Sequence, residues 1–268
     1  MTDAYYELLD ADDPRGERFA ASDHVISTWS ADMQNAAPVS ALLVRALEHC
    51  QPRADARLTR VVVDLLGPVP MAGPLWVRAE VIRPGSKIEL LTAQMLAVGP
   101  DGAPRPVAEA RAWRFGEHDT ADLVFTPAPP LRPRAEAKPR PVNPELGQTF
   151  IDTLDWLWLN DVLNSVPAEC WVRPKVDLVS GETATGVQRL FSVADIANGM
   201  GSRMDVRRWT FLNTDLTVHL HRAPEGDWFG IRAETHYGPD GVGASVATLF
   251  DESGPVAAIQ QAQLVRRR

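Results

Sequence analysis

The side chains that could do chemistry in this sequence are carboxylates and amides, without a recognisable nucleophile motif. There is no Gly-x-Ser-x-Gly turn, no phosphate-binding loop and no dinucleotide fingerprint. Cys50 lies within a helical pattern and has no Cys-His partner signal, which disfavours it as a nucleophile. Any hydrolysis by this chain is therefore expected to use an activated water rather than an acyl-enzyme.

Asp195 and Gln261 are side chains that could serve such a water. A carboxylate within reach of a water can accept its proton, and an amide can both donate to it and accept from it. The sequence predicts a short helix over residues 192–200, so Asp195 would lie near backbone N–H groups suited to an oxyanion. Taken alone, Asp195 is more often a plain acid that complements the helix dipole.

Metal and cofactor chemistry find no support in the pattern of histidines and cysteines. His219 and His221 share one strand face, but no third ligand stands at a fitting spacing, and we interpret them as structural or surface residues. Cys50 and Cys170 are too few for a disulfide scaffold. We predict no metal and no cofactor.

The stretch from Trp209 to Arg222 predicts a strand that has one face in a core. Its residues alternate with a period of two from Asn213 onward. Thr214 falls on the side of the apolar residues and Asn213 on the other side. Gln260 and Gln261 must likewise point to opposite faces of a strand, so at most one of them can face a site.

The chain contains an internal repeat at an offset of 154 residues, from Pro70 to Pro224 and from Arg78 to Arg232. We predict an N-terminal unit over 1–116, a Pro-rich linker over 117–150 and a C-terminal unit over 151–268. Each unit has one helix and consecutive hairpin-connected strands, which favours an antiparallel sheet packed on that helix. The predicted segments are a helix at 36–50, strands at 19–29, 59–66, 75–83, 88–98 and 106–115, and in the second unit strands at 171–176, 186–190, 211–221, 228–237, 243–251 and 256–265.

Composition limits the classes of function. The 268 residues carry a net charge of −8 and 45% hydrophobic residues, enough for one large core or two small ones. The acidic balance argues against a nucleic-acid binder. No signal peptide and no apolar run of membrane-spanning length is visible, so we expect a soluble cytoplasmic protein. We interpret the basic residues 266–268 as a solvated terminus. Trp156 and Trp158, just after the linker, either cover the mouth between the halves or anchor the linker, and we favour the second interpretation.

Several motifs together resemble one family. They are Trp29 followed by Met33-Gln34-Asn35-Ala36-Ala37-Pro38, Val63-Asp64-Leu65-Leu66-Gly67-Pro68-Val69-Pro70, Asn213-Thr214-Asp215, His221-Arg222-Ala223-Pro224 and Gln260-Gln261. These residues are similar to the acyl-CoA thioesterase-like superfamily, nearest to the type II acyl-CoA thioesterases. The resemblance implies an α+β double hotdog, in which two antiparallel sheets each wrap a helix. It also implies a role in lipid metabolism, with acyl-CoA or a related acyl thioester as substrate.

In that family an Asp, a Thr and a Gln orient and activate a water that attacks the thioester. The Asp opens the second hotdog helix and matches Asp195, and the Gln of the last strand matches Gln261. The family Thr falls on Asn213, which is a departure, and Thr214 carries the hydroxyl one residue later. The resemblance therefore implies a catalytic set of Asp195, Gln261 and either Thr214 or Asn213.

Two other functions stay open at this stage. A hydratase or dehydratase on the same fold would resemble families with a His close behind the helix Asp, and none follows Asp195. A hotdog that binds an acyl ligand without catalysis is the second alternative, which the departure at Asn213 keeps open. The sequence also leaves open the acyl chain and the association of double-hotdog units into homo-oligomers.

Overall fold

A computed structural model of the chain describes residues 3–139, 149–161 and 167–268. Pro141 and Pro144 of the predicted linker lie outside the described residues. No helix within those ranges is long and apolar enough to cross a membrane.

The first half of the chain is a helix followed by four long strands. The helix α1 spans Ala36–His49, and its Asn35 cap accepts a hydrogen bond from the backbone N–H of Ala37. Residues 37–47 are all buried, which confirms a helix enclosed by its sheet. The strands are β3 (Ala56–Leu65), β4 (Leu75–Arg83), β5 (Ile88–Val98) and β6 (Pro104–Gly116). Their turn signals and alternation are local, and the sequence located all four.

Two short strands precede this helix and only part of one was predicted. They are β1 (Ala4–Asp10) and β2 (Glu17–Ala21). The predicted strand over residues 19–29 is wrong beyond Ala21, because Ser22 caps a 3₁₀ turn at Asp23–Val25. β1 pairs antiparallel with β2 and parallel with a strand of the second half, so its existence depends on a distant partner.

The second half has the same plan with shorter pieces. Its strands are β7 (Lys138–Pro139), β8 (Leu154–Trp158), β9 (Ala168–Pro174), β10 (Asp177–Val179), β11 (Trp209–Asn213), β12 (Asp215–Leu220), β13 (Phe229–Tyr237), β14 (Val242–Asp251) and β15 (Gly254–Arg267). Its helices are α2 (Gly186–Ala194) and α3 (Ala197–Met200). β7 falls inside the predicted linker. The boundaries at 116 and 150 stay a prediction.

The second helix begins earlier than the sequence suggested, and the strand predicted over 186–190 is wrong. Thr185 and Gln188 form a capping box, in which Thr185 Oγ1 accepts from the Gln188 N–H at 3.1 Å. The helix therefore starts at Gly186. It ends at Ala194, so Asp195 lies between α2 and α3 and does not open the helix.

The fifteen strands form one sheet whose centre joins the two halves. β3 pairs antiparallel with β12, and each of these strands also pairs with the last strand of its own half, β6 and β15. α1 and α2 pack against each other inside the curved sheet. This arrangement is the α+β double hotdog that the resemblance implied.

Polar side chains also connect the two helices. The buried Arg45 of α1 donates to Glu182 at 2.6 and 2.7 Å and to Glu17 at 2.7 Å. Glu48 accepts from Thr185 Oγ1 at 2.8 Å and from Gln188 Nε2 at 2.7 Å. The start of α2 is therefore fixed to the end of α1.

The cap of α2 gives a test of where this helix begins. We expect Thr185→Ala to lower the free energy of unfolding by about 1 kcal/mol, because it removes the acceptor for the Gln188 N–H. Urea denaturation measures the loss. Thr185→Ser keeps the hydroxyl and should be near wild type, and an Ala variant as stable as wild type would contradict the cap.

Candidate functional site

A cavity of about 920 Å³ lies between the two halves of the chain. The first half contributes residues around Trp29, Asn35 and Val69, and the second half contributes Asp195 and Asn213. Most of the wall is apolar or aromatic, so the polar side chains that reach it stand out as candidates for chemistry.

Asp195 is a buried carboxylate in this wall, with 5% of the residue exposed. Both of its hydrogen-bond donors meet the same oxygen: Asn213 Nδ2 lies 2.6 Å and Gln261 Nε2 3.0 Å from Oδ1. Among the residues that the structure describes, none donates to Oδ2. The carboxylate is thus held through one of its two oxygens.

Asn213 reaches Asp195 because the strand bulges directly after it. Asn213 pairs with Gln263 and Thr217 pairs with Gln260, so one extra residue is inserted between these pairs. The bulge turns the side chain of Thr214 out of the apolar face, so the prediction that Thr214 lies with the inward residues is wrong. Thr214 is exposed and lines the cavity, and it makes no hydrogen bond to Asp195 or Gln261 within the described chain.

Gln261 lies on β15 with 2% of the residue exposed, and its neighbour Gln260 is exposed on the other face. Gln261 Nε2 donates to the carboxylate and also to the backbone oxygen of Asp195 at 3.2 Å. Its Oε1 is buried and has no partner among the described residues. A buried acceptor without a donor is costly. Gln261 is not among the described residues that line the cavity, so a water can reach this oxygen only from beside Asp195.

Burial sets the ionisation of Asp195. Desolvation raises the pKa of Asp195 to about 7, against the lowering effect of the hydrogen bonds from Asn213 and Gln261. The nearby Asp215 raises it further. A carboxylate with a pKa near neutrality is a better proton acceptor than an ordinary one and is still ionised at slightly alkaline pH.

The raised pKa also has a consequence for stability. Between the ordinary value of 3.8 and about 7, the folded chain keeps the Asp195 proton that the unfolded chain releases. Stability therefore falls as the pH rises through this window. Above about pH 7 the folded chain contains a buried negative charge, and the free energy of unfolding stays lowered by a constant amount.

The first half does not repeat this polar set. Along the strand-pairing registers, Ala112 of β6 occupies the place of Gln261, and Leu58 of β3 occupies that of Asn213. A bulge directly after Leu58 matches the one after Asn213. Both counterparts are buried apolar residues. In the part of the chain that the structure describes, the amide pair therefore occurs in the second half and not at the matching positions of the first.

Arginines lie on the solvent side of the cavity. The exposed Arg203 and Arg268 line it, and Arg268 also lies 5.5 Å from the ring centroid of Trp29. Neither guanidinium pairs with a side-chain carboxylate of the described residues. Arg207 lines the cavity too, but it is paired with Asp205 at 3.0 Å. Arg268 is exposed, as predicted, yet it belongs to the cavity.

Two tryptophans form part of the wall. The rings of Trp156 and Trp158 stack at 5.2 Å with an interplanar angle of 5°, and both line the cavity. Their strand β8 also pairs with β7 of the predicted linker, where Trp158 lies opposite Lys138, so these tryptophans lie both in the wall and against the linker. Trp171, whose Nε1 donates to the backbone oxygen of Arg132 at 2.9 Å, is a further contact with the linker.

Sequence reasoning missed Asn198, which lines the cavity and bonds to Asn213. The available signal was its spacing of three residues from Asp195, which brings two side chains together on one helical turn.

Comparisons with known proteins agree with this architecture. Two family models match: one described as the acyl-CoA thioesterase N-terminal domain over residues 25–115, and one described as the acyl-CoA thioesterase C-terminal domain over residues 125–265. A search of curated protein sequences finds no match.

Solved structures share the fold over nearly the whole chain. A thioesterase II candidate from Thermobifida fusca YX aligns with a TM-score of 0.74 at 17% identity, over 98% of this chain and 96% of its own. A hot dog protein of unknown function from Alicyclobacillus acidocaldarius gives 0.73 at 15%, over 96% and 94%. The acyl-CoA thioesterase II TesB2 from Mycobacterium marinum gives 0.69 at 14%, over 98% and 96%. With both domain models matched in order along one double hotdog, the chain belongs to the acyl-CoA thioesterase family.

Proposed function

We propose that this chain hydrolyses acyl-CoA thioesters with a water activated by Asp195. The observation that supports the proposal is a buried carboxylate that lines the cavity and is held through one oxygen: Oδ1 accepts from Asn213 and Gln261, while no described residue donates to Oδ2. A water bonded to Oδ2 would find its second acceptor in the unpartnered Oε1 of Gln261.

In the proposed reaction the water oxygen attacks the thioester carbonyl carbon while its proton passes to Asp195. The tetrahedral intermediate then collapses, the carbon–sulfur bond breaks, and Asp195 returns the proton to the departing sulfur. The products are the free acid and the CoA thiol. A thiol with a pKa of about 8.5 is a good leaving group, so this step needs no metal.

Asn213 replaces the family Thr in a different role. Its Nδ2 donates one hydrogen to Asp195 and the other to the backbone oxygen of Asp215 at 3.1 Å. No donor remains for the water, so we assign Asn213 to holding the carboxylate and Gln261 to both holding it and positioning the water. Thr214, which is exposed and does not bond to either, is not part of this set.

The cavity favours hydrolysis over hydration of a double bond. No histidine lines it in the described part of the chain, so the acid that the hydratase alternative would place beside Asp195 has no candidate. A protein that only binds its ligand has no need for a destabilising buried carboxylate. Release of free thiol from acyl-CoA separates hydrolysis from both alternatives.

The unpaired arginines suit the CoA half of the substrate. CoA carries several phosphate charges, and guanidinium groups bind phosphate oxygens through paired N–H donors. We place these phosphates at Arg203 and Arg268, on the solvent side of the cavity, with the acyl group toward the apolar wall.

Replacement of the base tests the mechanism. Asp195→Asn should lower kcat about 10²- to 10⁴-fold, because it keeps the shape but removes the proton acceptor. In the wild type, kcat/KM should rise with pH up to about 7 and level off above it, since only ionised Asp195 is active.

Stability gives a second measurement on Asp195→Asn. This variant should melt at a higher temperature than wild type at pH 8 and lose this advantage near pH 4. Wild-type turnover by Asp195→Asn would refute the mechanism.

The two amides and the hydroxyl can be separated by matched variants. Gln261→Ala should lower turnover about 10- to 10²-fold, because it removes positioning rather than the proton acceptor. Gln260→Ala, on the opposite face of the same strand, is the control and should be unchanged. Asn213→Ala should cost much more than Thr214→Val. The reverse order in thiol-release assays would return the third role to Thr214.

The arginines are tested through the phosphates. Arg203→Ala and Arg268→Ala should each raise KM for acyl-CoA roughly 3- to 10-fold, the equivalent of about 1 kcal/mol per contact, with little change in kcat. KM for the matching acyl-pantetheine, which lacks the nucleotide, should not change. The control is Arg78→Ala, because Arg78 is an exposed arginine on β4 that does not line the cavity. An equal loss with both substrates would mean that the arginines do not bind the phosphates.

A further inference from the structure

Asn198 is the buried residue behind Asn213, with 8% of it exposed. It lies on α3, one turn after Asp195, and its Nδ2 is 3.0 Å from Asn213 Oδ1. Its own Oδ1 is 2.6 Å from the backbone N–H of Gly199. The side chain therefore stands between a backbone group and the amide that holds the proposed base.

The orientation of both amides follows from groups whose roles are fixed. A backbone N–H can only donate, so Asn198 must turn Oδ1 to Gly199 and Nδ2 to Asn213. Asn213 then accepts at Oδ1 and must turn Nδ2 the other way. There the backbone oxygen of Asp215, which can only accept, fixes the same orientation.

We propose that Asn198 is a positioning residue, which keeps the N–H groups of Asn213 directed at Asp195. Without a donor at position 198, Asn213 Oδ1 loses its partner and the amide is held less firmly, although the backbone oxygen of Asp215 still favours the same orientation. The hydrogen bond from Asn213 to Asp195 is then weakened. The proposal rests on the proposed function for its effect on turnover, but its effect on Asp195 is independent of any reaction.

The effect on Asp195 has a defined direction. A hydrogen bond to the charged form lowers the pKa of a carboxyl, so its loss raises the pKa. Asp215 is the charged side chain that acts on Asp195 from the packed elements of the described chain, and it raises the pKa already. Within the described ranges, no cationic side chain acts on the pKa of Asp195 to compensate for a weakened donor.

The experiment is a carboxyl titration by NMR of protein labelled with ¹³Cγ-aspartate. The Asp195 resonance is identified by its loss in Asp195→Asn. We expect its midpoint to rise by about 0.5–1 pH unit in Asn198→Ala. Asn198→Leu has nearly the shape of Asn without polar atoms, and we expect it to give the same rise. It replaces Asn198→Ala in the experiment if the smaller Ala disturbs the fold.

A double-mutant cycle shows whether the effect passes through Asn213. In an Asn213→Ala background, Asn198→Ala should move the Asp195 midpoint no further. Thr235→Val removes a hydroxyl that lies 3.4 Å from the backbone oxygen of Asn198 and leaves both amides, so it is the control for a general disturbance of α3. It should leave the midpoint unchanged.

Turnover gives the second measurement. Asn198→Ala should lower kcat/KM about 3- to 10-fold at pH 6 and much less at pH 9, because the acidic limb moves up with the pKa. An unmoved midpoint, or an equal further shift in the Asn213→Ala background, would refute the positioning role. If the midpoint moves as expected in a chain that releases no thiol from any acyl-CoA, the proposed function fails and the positioning role stands.

Discussion

The pairing of β3 with β12 is the constraint on which the other features depend. It joins the two halves into one sheet, encloses α1 against α2 and forms the cavity between the halves. Among the described strands, β11 pairs only with β15, whereas β12 pairs with both β15 and β3. Where the second partner is added, Thr214 bonds to Ala262 through its N–H and to Leu65 through its oxygen. The bulge at this point is what turns Asn213 toward Asp195.

The site that results concentrates a charge in an apolar wall. Burial of Asp195 disfavours its ionised form, and the hydrogen bonds of Asn213 and Gln261 offset this only in part. Both donors occupy one oxygen, so the compensation leaves the other oxygen unpaired. In the proposed reaction, the same desolvation that destabilises the ionised form makes Asp195 a stronger base.

The two halves share a backbone plan but have divided their roles. Ala112 and Leu58 stand where Gln261 and Asn213 stand in the second half, so the first half contributes wall and support. The first half instead contributes the buried Arg45. Its guanidinium binds Glu182 of the second half and Glu17 of its own half. Arg45 and Glu48 of α1 hold the loop at Glu182 and the cap at Thr185, which precede α2. The position of Asp195 at the far end of α2 therefore depends on contacts in both halves.

The sequence by itself determined the long strands, the central helix α1 and the internal repeat, because alternation, capping and turn residues act locally. Its family resemblance also singled out Asp195 and Gln261. The sequence did not locate the start of α2, because the mixed polarity of residues 186–190 suits a strand as well as a helix. The hydrogen bonds of the Thr185 cap, which only the structure shows, distinguish the two. Only the tertiary structure placed Asn213 rather than Thr214 against Asp195, and it brought Asn198 and Arg268 to the cavity. Those outcomes depend on a one-residue bulge and on contacts between distant segments, which no local pattern encodes.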